Sequence, residues 1–329
     1  MTEIMGHETQ ARALGDAVRS GRFHHAWLLA GPEGVGKASL AHAMALRLLA
    51  EAAGQSVPPS DRALPDDHPT AALARAGSHP DFITLTRLPS ERTGDLARAI
   101  SVDQVRGLQR LFATTPTFSP LRIVLVDSAD DLPREAANAL LKNLEEPPTG
   151  TLFLLISHAP GRLLPTIRSR CRLLRFGPVS QELMHAIVRD ALPDASPEQI
   201  AALVEAGAGA PARALRFAGL DIAAIERDMA HVLDTGDPSG GVRSALARSL
   251  GLKSAQPRYE AFLERVPARL AAEARAAQGA RRLLAVDLWE KARDLAGGAV
   301  RHSLDPQATV FEMCAYLAAL APTGSAAKA

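Results

Sequence analysis

The chain has 329 residues, with 37 Lys and Arg against 36 Asp and Glu, a net charge of +1. That balance argues against a surface that coats nucleic acid along its whole length, while leaving room for a local basic patch. A hydrophobic share of 47% and a charged share of 22% exclude wholesale disorder, and the length predicts about two domains, with three small ones allowed.

Aromatic residues are only 4%, so the cores must be built from Leu, Ala, Val and Ile, which favours helices. The two cysteines, Cys171 and Cys314, are far apart and form no C-x-x-C, which excludes a disulfide framework and a four-cysteine zinc module. Free thiols suit a reducing compartment, and Met1 to Gln10 carries charge without an apolar core. With no run of 18 apolar residues for a membrane span, the expectation is a cytoplasmic protein without a membrane partner.

In chain order, Glu8 to Arg19 has helical spacing. His25 to Ala30 reads as a short buried strand, Gly31 to Gly36 as a glycine-rich loop, and Lys37 to Ala52 as a helix. Gly54 to Pro80 is rich in Pro, Ser, Asp and Gly and reads as a surface insertion. Phe82 to Leu85 follows as a strand. Ser101-Val102-Asp103-Gln104 is a capping box opening a helix to about Phe112. Arg122 to Asp127 (RIVLVD) is an apolar strand ending in a carboxylate. Pro133 is placed as the first residue of a helix that Pro147-Pro148 stops after Glu146. Thr151 to Ser157 (TLFLLIS) and Arg172 to Phe176 complete the strands.

Beyond Gly177-Pro178 the pattern is helical. Three short helices are expected at Ser180–Ala191, Ser196–Ala206 and Ala210–Ala218. Longer ones follow at Asp221–Leu233, Gly241–Leu250, Pro257–Ala277, Ala280–Ala296 and Ala308–Leu320, with a frayed tail from Pro322 to Ala329.

Gly31-Pro32-Glu33-Gly34-Val35-Gly36-Lys37 fits G-x-x-x-x-G-K between a strand and a helix. The glycines let backbone N–H groups cradle phosphate, and Lys37 adds charge at a helix N-terminus. The position after the lysine, which in a working loop carries a hydroxyl for Mg²⁺, is Ala38. Ser39 lies about 100° further round the helix. Asp127 stands where a metal-holding carboxylate belongs, yet Ser128 follows where a water-orienting Glu is needed. Asp130 and Asp131 read as loop or cap residues. Hydrolysis by this chain is therefore not expected, and its own Mg²⁺ site is in doubt. Binding of ATP or ADP and an inherited scaffold without nucleotide both stand.

From Arg162 to Arg175 there are five arginines and no acid. Two readings stand level: a solvated basic face touching nucleic acid, and an arginine reaching a neighbouring subunit's γ-phosphate. Ser157 reads as a polar sensor or as a capping hydroxyl. Arg213 reads as a phosphate-sensing or a surface residue, and Lys142 as a solvated helix residue that faces DNA in the alternative. Cys171 and Cys314 read as small buried hydrophobes.

Four stretches carry a resemblance. They are His24-His25-Ala26-Trp27-Leu28-Leu29, Ser101 to Arg106, Ala136 to Pro148 (AANALLKNLEEPP) and Leu164 to Cys171 (LPTIRSRC). Together they resemble the bacterial clamp-loader AAA+ family, strongly over residues 1 to about 178 and weakly to 222. The ATP-hydrolysing gamma/tau members have G-K-[ST], a D-E pair and a zinc module. This chain departs from all three, with Ala38, Ser128 and no cysteine between Ala50 and Phe82. It is thus similar to a member that does not hydrolyse ATP and keeps the arginine of the S-R-C triplet.

The resemblance implies an α/β AAA+ P-loop parallel-sheet domain at 1–178, a small helical lid at 179–222 and an all-α collar at 223–329. It implies Arg170 acting in trans on ATP held by gamma/tau, and a degenerate nucleotide site of Gly31, Gly34, Gly36, Lys37, Ala38, Asp127, Ser157 and Arg213, with no zinc. The implied partners are gamma/tau and delta subunits, with the beta sliding clamp and primer-template DNA reached through the complex. The competing readings are a self-sufficient or gamma/tau-like AAA+ ATPase, which would need Asp130 or Asp131 as a substitute for the missing Glu, and a stand-alone DNA-binding module.

Overall fold

The computed structural model describes residues 6–21, 23–58, 63–89, 94–300 and 302–322. The chain divides into two compact units, residues 1–187 with 209–212, and residues 188–208 with 213–329.

The first unit is built on a parallel sheet. Its strands are β1 (Ala26–Ala30), β2 (Phe82–Thr86), β3 (Arg122–Asp127), β4 (Thr151–Ser157) and β5 (Arg172–Arg175), in the order β2-β3-β4-β1-β5. The three inner strands are continuous apolar runs because both faces are covered. Side chains alternate across the sheet. Trp27, Leu29, Ile123, Leu125, Leu152, Leu154 and Ile156 join one core with α1 (Glu8–Arg19) and α2 (Lys37–Ala52). Ala26, Leu28, Val124, Val126, Phe153 and Leu155 join the other with α4 (Val102–Phe112), α5 (Arg134–Glu145) and α6 (Pro165–Ser169).

The capping box at Ser101 forms as expected. Ser101 Oγ accepts from Gln104 N at 3.2 Å and Ser101 N donates to Gln104 Oε1 at 3.0 Å. Two expectations shift. The segment from Gly54 to Pro80 holds a helix, α3 (Pro69–Arg75), whose N-cap His68 accepts from Thr70 N; Leu64 and Ala71 bury against Leu46 and Ala50. Its apolar residues are too few to show a period, and residues 59–62 lie outside the described residues. Pro133 is the extended N-cap of α5 rather than its first residue, with ψ 158°.

A buried ion pair organises the loop before β3. Asp81 is fully buried and accepts from Thr117 N and Phe118 N, both at 2.8 Å. Arg122, 2% exposed, lies 4.0 Å from Asp81 and donates to the carbonyls of Leu111 and Thr114.

α7 (Gln181–Ala191) spans the division between the two units. The second unit is helical: α8 (Pro197–Gly207), most of α9 (Pro211–Arg216), α10 (Ile222–Thr235), α11 (Gly241–Leu250), α12 (Gln256–Ala276), α13 (Gly279–Ala299) and α14 (Pro306–Ala318). Phe217, Ile225, Met229, Val232, Phe262, Val266 and Leu270 are buried in it. Arg265 bridges three helices, donating to Glu226 of α10 and to the Ala206 carbonyl of α8. Cys314 is fully buried in α14, and burial pushes its thiol up to about 12. The tail from residue 323 and residues 1–5 lie outside the described residues. No described helix is long and apolar enough to cross a membrane.

Candidate functional site: a phosphate loop closed on its own lysine

Parallel strands present their ligand-binding loops at their C-terminal ends. Here the ends of β1, β3 and β4 bring together the glycine-rich loop, Asp127 and Ser157. Gly34 and Gly36 have φ of 80° and 104°, the left-handed region that turns backbone N–H groups inward. A Cβ on Gly31 would strike the carbonyl oxygen of Phe176, so this position needs glycine for close packing. His7 Nε2 lies 2.8 Å from the Val35 carbonyl, and Ala212 N donates to the Gly34 carbonyl at 3.1 Å. Both contacts brace the loop from outside.

Lys37 opens α2 and is 2% exposed. Its Nζ donates to the carbonyls of Gly31 at 2.7 Å and Pro32 at 2.6 Å, and stands 2.9 Å from His158 Nδ1. Burial lowers its pKa to about 8, against the charges of Asp130, Glu33 and Asp127, which favour the ammonium. Ala38 packs its methyl on the sheet core, and Ser39 is exposed. Burial raises the pKa of Asp127, opposed by His158 and Lys37.

Asp130 does more than the cap or loop role expected of it. Its carboxylate accepts from Ser128 Oγ at 3.0 Å, Ser157 Oγ at 2.9 Å, His158 N at 2.6 Å and Ala159 N at 3.2 Å. Burial alone would raise its pKa; the donors led by His158 N and Ser157 outweigh that and hold it below the usual carboxylate range. Ser157 thus neither caps a turn nor presents a free hydroxyl: it is fully buried and bonded to Asp130. Three of the four donors, Ser157 Oγ, His158 N and Ala159 N, fix this carboxylate to the end of β4, which is poor geometry for activating a water.

Arg170 follows α6. Its Nη2 pairs with Glu145 Oε1 at 2.7 Å and its Nη1 donates to the Thr166 carbonyl at 3.0 Å, with the side chain 34% exposed. Arg162, Arg168, Arg172 and Arg175 are exposed, and Arg172 lies over the Trp27 ring at 4.7 Å. Cys171 packs on the core, its thiol pushed up to about 12 by burial. Lys142 is exposed. In the second unit Arg213 pairs with Glu264 at 3.2 Å, beside Arg216 on the same carboxylate.

Sequence reasoning missed His158 and Glu145. One hint existed for each: His158 directly follows the β4 carboxy end, and Glu145 lies in the most distinctive of the four stretches.

A parallel sheet in the order β2-β3-β4-β1-β5, with a phosphate loop after β1 and a carboxylate closing β3 on the far side of β4, defines an AAA+ P-loop domain, here with Ala38 and Ser128 in place of the hydroxyl and the second carboxylate. Within that class the chain belongs to the family described as DNA polymerase III, delta subunit, whose sequence model matches residues 6–180. DNA polymerase III subunit delta' of Pseudomonas aeruginosa is 38% identical over 196 residues, 59% of this chain and 56% of that protein. Subunit delta' of Escherichia coli is 32% identical over 235 residues, 70% of this chain and 65% of that protein. DNA polymerase III subunit tau/gamma of Haemophilus influenzae is 30% identical over 200 residues, 59% of this chain and 27% of that protein. The crystal structure of a DNA polymerase III gamma subunit-related protein from Thermotoga maritima aligns with a TM-score of 0.45 at 16% identity, over 94% of this chain and 99% of that one. The alignments with the two delta' subunits thus span under two thirds of those relatives' lengths.

Proposed function

We propose that this chain works as the delta-prime subunit of a DNA polymerase III clamp loader. In that role it joins gamma/tau and delta subunits, helps open the ring-shaped beta sliding clamp and helps close it on primed DNA. Residues 1–178 form the AAA+ domain, 179–222 the lid and 223–329 the collar that meets the other subunits.

The observation that carries the reading is the division of labour between two corners of the first unit. At the phosphate loop, Ala38 offers no oxygen to Mg²⁺, Ser128 no base to water, and Lys37 is spent on the loop's own carbonyls. At the S-R-C triplet, Arg170 is half-exposed and keeps N–H groups free for a phosphate. The chain burns no ATP and lends Arg170 to the triphosphate held by gamma/tau, a contribution worth roughly 10³–10⁵ in rate at the site it serves.

The left-handed Gly34 and Gly36 suit the phosphates of ATP or ADP. Lys37 must then exchange the Gly31 and Pro32 carbonyls for phosphate oxygens. The residues present do not fit a Mg²⁺ ion, and no step runs through one. ATP hydrolysis by the isolated chain and by the reconstituted loader tests the reading. No turnover alone, and a loss in the loader with Arg170→Ala, are expected; turnover by the lone chain would overturn it.

A further inference from the structure

Three of the four distinctive stretches meet at one corner of the first unit. His25, just before β1, has Nε2 2.9 Å from the carbonyl of Leu144 in the last turn of α5. The next residue, Glu145, places Oε1 2.7 Å from Arg170 Nη2, and the Thr166 carbonyl takes Arg170 Nη1 at 3.0 Å. Two of the five guanidinium N–H groups are engaged and the rest remain available.

The placement of Glu145 is unfavourable for the helix itself. A carboxylate at a helix C-terminus faces the negative end of the dipole. The Glu145 and Arg170 side chains are 48% and 34% exposed, and such a pair adds little to folding. Its effect is on direction. A free arginine surrenders its rotamer freedom when it meets a phosphate. One already held at two N–H groups, on a helix end that is itself tied to β1, surrenders less and arrives aimed.

We propose that Glu145 is the positioning residue of Arg170, holding the guanidinium in the orientation in which it reaches a neighbouring subunit's phosphate. This rests on the reading of Arg170 as acting in trans. In this role Glu145 takes no part in the chemistry itself; it acts through the arginine.

The test uses the full chain in a loader reconstituted with gamma/tau and delta subunits, comparing Glu145→Ala, Glu145→Gln, Arg170→Ala and the double variant Glu145→Ala/Arg170→Ala. The readouts are kcat and KM for ATP and the affinity of assembly. Glu145→Ala is expected to lower the Arg170-dependent part of kcat about 10-fold with KM and assembly unchanged. Glu145→Gln, which keeps an acceptor oxygen of the same reach, is expected to restore most of it. The double variant is expected to be no slower than Arg170→Ala. If Arg170→Ala slows turnover while Glu145→Ala does not, or the two losses multiply, the positioning role is overturned and the trans reading stands. A loss from Glu145→Ala that appears in KM or assembly, or that Gln fails to rescue, marks a structural role and also overturns it. Unchanged turnover with Arg170→Ala removes the trans reading and this inference together.

Discussion

Lys37 Nζ stands 2.9 Å from His158 Nδ1 and donates to the carbonyls of Gly31 and Pro32, so all three N–H groups of the ammonium are taken up within the chain. The loop lysine of this protein solves its own burial by bonding to the loop it would otherwise use to hold a phosphate. For His158 to accept, its Nδ1 must be unprotonated.

The first prediction concerns pH and stability. Burial holds the Lys37 pKa at about 8 in the folded chain, against an ordinary value of 10.5. Between the two the unfolded chain holds more protons, so this residue's contribution to stability grows as pH rises from about 8 to about 10.5 and is lost as pH falls through about 8. Urea titrations at about pH 8 and about pH 10 should show a smaller rise for Lys37→Met than for the parent. Equal rises would place the lysine in water.

Metal dependence gives the second. Ala38 leaves Mg²⁺ without its usual hydroxyl, so Mg²⁺ should not strengthen the binding of a labelled ATP analogue to the isolated chain. Tighter binding on adding Mg²⁺ would mean that another group has taken over, with Ser39 the first to replace.

Asp130 supports the third. Asp130→Ala strips acceptors from Ser128, Ser157 and two backbone N–H groups, and should cost about 3 kcal/mol in denaturant titrations. Because its folded pKa is depressed, its stabilisation in the parent holds above the unfolded value of 3.8 and fades as pH falls through the lower folded one. A variant with parent-like stability would return Asp130 to the candidates for a catalytic carboxylate.

Asp81 gives the fourth. Asp81→Ala leaves Arg122 buried without its charge partner and frees the N–H groups of Thr117 and Phe118, which predicts a loss of about 3–5 kcal/mol by the same measurement. A loss below about 1 kcal/mol would mean that water replaces the carboxylate.

Much of this was legible in the sequence for identifiable reasons. The inner strands announce themselves because burial on both faces forces runs such as RIVLVD and TLFLLIS, and the phosphate loop because glycine, lysine and a helix start fall at fixed spacing. Ser101 and Ser196 mark helix starts through their own side-chain chemistry. What stayed hidden depends on contacts between distant segments. Nothing local tells that Ser157 gives its hydroxyl to Asp130, 27 residues earlier, or that Lys37 meets His158, 121 residues later. The helix at Pro69–Arg75 was equally silent, since one buried turn leaves no period to read.

The most direct measurement is the steady-state ATP turnover of a reconstituted loader carrying Arg170→Ala in this chain, read beside the turnover of the isolated parent chain. The expected result is intact assembly, a marked fall in turnover and no hydrolysis by the chain alone. Unchanged turnover in the loader, or hydrolysis by the isolated chain, would contradict the account.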